Sequence, residues 1–234
     1  MAPMAKATGV RARVRAELTA EIKKSARRQL ATNGAASLSL RAIARELDMA
    51  SSAIYRYFPS RDELLTALII DAYDAVGELV EKANVAQPAD DYRGRFIAMA
   101  TAMRTWAQKN PHEYALIYGS PVPGYEAPED TIDPAVRVPV ALITVLVESF
   151  AGPSGTGKTM QAEPDPVLNA ALAQLLEFVG HSVPPQILAR GVEAWAEIFG
   201  LISLELFGHF TNAVTRPADF FDHAIAALAD RTLA

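Results

Sequence analysis

The chain has 234 residues, half of them apolar, and no cysteine. That length suits one large domain, or a small one joined to a larger one, and the missing cysteines exclude disulfides, thiol nucleophiles and cysteine-rich zinc sites. The formal charge of −5 conceals an asymmetry: the first 61 residues carry twelve basic against four acidic side chains, a head of +8, and the rest carries −13. Such a head predicts either a polyanion partner or a solvated charged face.

Residues 1–9 show no periodicity and read as a mobile tail. From Val10 to Asn33 the apolar residues Val14, Leu18, Ile22, Ala26 and Leu30 recur every fourth position, one stripe of a helix that Gly34 stops. Ser39 is placed to cap a short helix carrying Leu40, Ile43, Ala44 and Leu47. A break at 48–50 leads to a second short helix with Ile54, Tyr55 and Phe58. After Pro59, Ser60 caps a long helix toward Lys82, with Asp62 and Glu63 in its first turn where the dipole favours them.

Helices are expected over 91–109, from Pro111 through Tyr118, over 134–150, from Pro166 to about Gly180, from Pro185 to about Gly208, and from Pro217 to about Arg231. No stretch alternates with period two long enough to argue a strand, so the fold class is all-α. The basic N-terminus lacks a signal-peptide core. The longest apolar run, from Val140 to Val147 with Thr144 inside it, is too short to cross a bilayer. The expectation is a cytoplasmic protein with no membrane partner.

Two short helices joined by a tight turn form the geometry that seats the second helix in a DNA major groove. Ile43, Leu47, Met49, Ile54 and Phe58 supply a small core, with Ala44 where the helices cross. Hydroxyls on Ser51, Ser52, Tyr55 and Tyr57, with the charges of Arg56 and Arg61, suit phosphates. Arg41 extends that set, and Arg11, Arg13 and Arg15 precede it as an arm for the backbone or the minor groove. Short helix pairs that merely pack are the competing reading.

The stretch "LSLRAIARELDMASSAIYRYFPSRDELL" resembles the N-terminal DNA-binding domain of TetR-family transcriptional regulators. The resemblance covers residues 20–65 and rests most on Tyr55-x-Tyr57-Phe58-x-x-Arg61-x-x-Leu64-Leu65. It implies a phosphate contact for Ser39 and backbone contacts for Tyr55 and Tyr57, and places Arg61 where the family usually has lysine. Base contacts stay open among Ser52, Ala53 and Arg56. Two positions depart from the pattern: Asp48 replaces the turn glycine, and Ala50 replaces the serine that caps the recognition helix, which shifts the expected cap to Ser51.

The resemblance implies an N-terminal three-helix helix-turn-helix domain, residues 1–64, followed by a helical ligand-binding and dimerisation domain, residues 65–234. "WAEIFGLISLELFGHF" (195–210) is similar to a C-terminal class marked by Trp-x-x-x-His-Gly, with Phe199 in place of the histidine. Ile187, Gly191, Trp195, Ile198 and Ile202 form one face of that helix, and Leu201, Leu204 and Phe207 line the other. An all-round apolar helix is buried on two sides, so helices near 184–208 and 217–231 are expected to build a homodimer. Met99, Met103, Trp106, Tyr114, Tyr118, Trp195 and Phe199 suit an apolar or aromatic inducer, or an ordinary core.

The resemblance and the residues together predict a ligand-responsive repressor on a palindromic operator, not an enzyme. Gly152-Pro-Ser-Gly-Thr-Gly157-Lys158-Thr159 matches a phosphate-binding P-loop, which makes nucleotide binding through 152–159 the alternative. A working P-loop needs a strand before it and a long helix after it, and Pro164 and Pro166 forbid that helix. His112, His181, His209 and His223 share no metal spacing. Neither a metal nor a cofactor is expected.

Overall fold

Four-residue apolar spacing dictates the first long helix, and in the computed structural model, which describes residues 4–151, 166–179 and 183–233, helix α1 runs Met4–Asn33. It starts earlier than the apolar stripe, so the segment read as a tail is helical from Met4. Met4, Ala5, Lys6 and Ala7 are good helix formers, and Gly9 costs only about 1 kcal/mol. Gly34, at φ 72°, ends the helix, its N–H donating to the Leu30 carbonyl.

There follow α2 (Leu40–Glu46), α3 (Ser51–Ile54), α4 (Arg61–Val85), α5 (Tyr92–Lys109), α6 (Pro111–Tyr118), α7 (Ile132–Ala151), α8 (Pro166–Ala171), α9 (Ala173–Val179), α10 (Pro185–Leu206) and α11 (Pro217–Leu233). Among the described residues there is no strand. The single helix expected from Pro166 to Gly180 is instead two short ones with a break at Leu172. Residues 152–159, with the P-loop pattern, lie outside the described residues.

The chain divides into two compact units: residues 1–72 with 111–132, and 73–110 with 133–234. The division falls inside α4. In the first unit Ile22, Ala26 and Leu30 of α1 meet Leu40, Ile43 and Ala44 of α2, Ile54 of α3, and Leu64, Leu65 and Leu68 of α4. Ile22, Ile43, Ile54, Leu64 and Leu65 are fully buried. Each contributes roughly 2 kcal/mol of apolar burial against the entropy of ordering the chain.

In the second unit α5, α10 and α11 pack together through Phe96, Met99, Met103, Ala194, Ile198, Ile202, Phe221, Ile225 and Leu228. Arg104 of α5 grips Glu205 of α10 with two bonds, Nε at 2.7 Å and Nη2 at 2.6 Å, and its guanidinium lies 5.0 Å from the Phe221 ring. The run Glu129–Ala151 is long and apolar enough to cross a bilayer, at mean hydropathy 1.6. Its Val138, Leu142, Val145 and Leu146 are buried in the protein, and its Arg137 pairs with Asp74 and Glu81 at 2.7 Å.

Candidate nucleic-acid interface

The helix pair is built by local chemistry. The Ser39 hydroxyl accepts from the Ala42 N–H at 3.4 Å and so caps α2, while the Ser39 N–H donates to Gln29 Oε1 at 3.1 Å. At the far end Asp48 adopts φ 51°, the left-handed conformation that the family's glycine would take without strain. The turn closes as the Met49 N–H reaches back to the Ala44 carbonyl at 2.8 Å. The cap expected at Ser51 does not form: Ala50 occupies the N-cap position and offers no side-chain acceptor. α3 is correspondingly short, and its last turn closes through bonds from Arg56 to Ala53 and from Tyr57 to Ile54.

Buried Ile54 and Phe58 anchor this segment from beneath. Ser51, Ser52, Tyr55 and Arg56 are exposed on its outside, Tyr55 at 41%, and Arg41 is exposed on α2. Ser39, Ala53 and Tyr57 are half-buried, and Tyr57 also packs on the core. Arg61 is half-buried too, its Nη2 donating to the Ala35 and Ala36 carbonyls at 3.0 and 3.4 Å. The exposed members form a surface of hydroxyl and guanidinium donors, the groups that engage phosphates and base edges.

Three groups of contacts had no sequence signal. Arg15 of α1 donates to the Arg56 carbonyl at 3.0 Å and stacks 5.2 Å from the Tyr57 ring centroid, so the basic arm is helical and holds the end of the recognition segment. Buried Ser25 donates to Glu46 at 2.6 Å, and Arg28 Nε adds a 3.0 Å bond to the same carboxylate. The Ser25 hydroxyl first, and Arg28 second, hold the Glu46 carboxyl below the ordinary glutamate range. Lys23 and Arg27 meet Asp71 at 2.7 and 2.8 Å, and Arg27 reaches Glu113 at 2.7 Å, which ties α1 to α4 and α6.

The residues expected at a ligand divide between the units. Tyr114 is fully buried in the first, its ring 5.1 Å from that of Tyr118. Met99, Met103 and Trp106 are buried in the second, where Trp195 and Phe199 are half-buried with rings 6.0 Å apart. The indole Nε1 of Trp195 is buried without a hydrogen-bond partner among the described residues. A cavity of about 590 Å³ in the second unit is lined by other residues, including Asn84, Tyr92, Arg95 and Glu148. Among the described residues no group of three acidic, histidine or cysteine side chains could hold a metal.

Residues 22–68 match the family described as bacterial regulatory proteins, tetR family, and residues 96–228 match the tetracyclin repressor-like C-terminal domain. The chain is 41% identical over 219 residues to HTH-type transcriptional regulator Rv1816 of Mycobacterium tuberculosis, covering 92% of each. The same figures hold for regulator Mb1846 of Mycobacterium bovis. The solved regulatory protein SCO4313 is 34% identical, with a TM-score of 0.76 over 92% of this chain and 97% of that one. PfmR from Thermus thermophilus, 16% identical with a TM-score of 0.54 over 91% of this chain and 96% of its own, shares the fold.

Proposed function

The chain belongs to the TetR family of transcriptional regulators and carries its helix-turn-helix DNA-binding domain; from that premise we propose that it is a ligand-responsive homodimeric repressor of a palindromic operator, working in the cytoplasm. Residues 1–64 bind DNA, and residues 65–234 take the ligand and pair with a second copy. One observation carries the reading: Ser51, Ser52, Tyr55 and Arg56 stand exposed on a segment whose other side, Ile54 and Phe58, is locked in the core. Ser39, Arg41, Tyr57 and Arg61 hold phosphates around them, and Ser52, Ala53 and Arg56 face the bases.

Exposed Leu204, Phe207 and Phe220, at 42, 46 and 41%, support pairing through α10 and α11. Two recognition segments about 34 Å apart then read half-sites one turn apart. Met99, Met103, Trp106, Trp195 and Phe199, all in the second unit, receive an apolar or aromatic inducer, and the Trp195 N–H, which has no partner among the described residues, takes an acceptor on it. Such a ligand lowers DNA affinity by favouring the dimer that cannot span both half-sites.

The test is selection of duplexes from a randomised pool by the full chain, then footprinting with and without candidate aromatic ligands, and light scattering for mass. A palindromic footprint lost on ligand addition, from a particle twice 25.2 kDa, is the expected result. A monomer, or binding indifferent to sequence and salt, would overturn the reading.

A further inference from the structure

The N-terminal part of α1 extends past the domain it belongs to. Every described side chain from Gly9 to Glu17 is exposed, and full burial begins only at Ile22. Arg11 thus sits roughly 16 Å of helix beyond the first core residue. Eleven and seven positions separate Arg11 and Arg15 from Ile22, close to three and two whole turns, so both arginines lie on the face that buries Ile22. Leu18 and Thr19 lie on that face too, with Ala12 and Val14 at its two edges. Glu17 and Glu21, the acidic residues of α1, lie off that face, about 140° and about 100° round the helix from Ile22, as do Val10 and Arg13. Arg13 lies within 3.7 Å of Glu17 there. The arm therefore has a basic, acid-free side and a mixed side.

Arg15 fixes what the basic side looks toward. Its bond to the Arg56 carbonyl and its stacking on Tyr57 bring that side against the end of the recognition segment. One turn further out, Arg11 is exposed with no partner among the described residues.

We propose that residues 9–16 of α1 are a second DNA-contacting element, a helical outrigger whose Arg11 meets a phosphate of the duplex outside the stretch read by residues 51–56. It rests on the DNA-binding reading above. Charge complementarity and continuity with the recognition surface select the duplex as occupant. A helix about 10 Å across does not enter a minor groove about 6 Å wide, so the arm follows the backbone and reads no bases. It adds affinity and footprint length on any sequence, with one more counterion released per arm.

The test uses the full chain on a duplex it has itself selected from a random pool. Arg11→Ala is expected to weaken binding roughly 3- to 10-fold and to lower the salt slope by about one per protomer. Arg13→Ala, on the other side of the helix, is expected to weaken binding and lower the slope by less than half as much as Arg11→Ala. On a duplex trimmed to the sequence-specific core, Arg11→Ala and wild type converge. Ala12→Pro, which breaks the helix ten residues before the core, reproduces the Arg11 loss at unchanged melting temperature. Equal effects from Arg11 and Arg13, or none from Arg11 on the long duplex, overturn the outrigger and leave the DNA-binding reading standing. A wild-type chain that selects no duplex overturns both.

Discussion

The arginines and lysines of the first unit are largely tied to their own protein, whereas in the second unit the same ion-pair chemistry joins long helices. Lys23 and Arg27 are held by Asp71 and Glu113, Arg28 by Glu46, Arg15 by the Arg56 carbonyl, and Arg61 by two carbonyls. Among the described residues Arg11, Arg41, Arg45 and Arg56 keep exposed charge with no such partner. In the second unit Arg104–Glu205 and Arg137 with Asp74 and Glu81 bind α5 to α10 and α7 to α4. A charge of +8 therefore overstates the positive surface the head presents. What reaches DNA is the fraction of that charge the fold leaves unpaired.

The sharpest way to break this contrast is at the Arg104–Glu205 pair, whose side chains are only 14 and 17% exposed. Glu205→Ala leaves a shielded guanidinium and the Gln108 amide without their acceptor. The expected cost is about 2–3 kcal/mol in urea unfolding. A loss under about 0.5 kcal/mol would make the pair a surface ornament and end the claim that it binds these helices.

Tyr55→Ala works the other way. Its ring is among the exposed ones and lies outside the buried cluster, so melting should not move. Duplex affinity should drop roughly thirtyfold, about 2 kcal/mol, from the lost backbone contact. A melting shift of several degrees with unchanged affinity would transfer Tyr55 from the interface to the scaffold.

Arg61 stands between the two classes. Its Nη2 secures the turn after α1, while its position implies a phosphate contact. Arg61→Ala should cost about 1 kcal/mol of stability and flatten the salt slope by about one. Stability loss with an unaltered slope would remove it from the DNA-binding set.

These cases mark how far the sequence could be read. Ser39, Asp48 and Pro111 act within a few residues of themselves, so the first six helices and the turn between α2 and α3 follow from spacing and caps. Arg15 with Arg56, Ser25 with Glu46, and Arg27 with Glu113 lie 41, 21 and 86 positions apart, and pairing over such distances leaves no periodic trace. The brevity of α3 follows from Ala50, a residue that supplies no cap. The residues expected at a ligand are apolar and aromatic, whereas the described cavity has a mixed lining, Asn84, Arg95 and Glu148 beside Val85, Ala89 and Ala151, which no apolar pattern singles out. The break at Leu172 splits a periodic stretch whose apolar residues continue across it.

The smallest effect is the most specific to the first unit. Ser25 and Arg28 bond the ionised form of Glu46, so its folded pKa lies below its unfolded one. A carboxyl of that kind stabilises the fold above its unfolded pKa, about 4.3, and that stability fades as pH falls through the lower, folded value. Acidification through that lower value should therefore loosen the α1–α2 tie, and with it the seating of α3, since α2 and α3 share one core. Glu46→Gln keeps an acceptor for Ser25 but cannot titrate. Comparing melting temperatures of the two proteins from pH 6 down to pH 3 isolates the term: wild type should be the more stable at pH 6, and the gap should close on the acid side. A gap that widens with acid would mean that Glu46 is destabilising when ionised, and the clamp between α1 and α2 would have to be assigned to Ser25 and Arg28 without it.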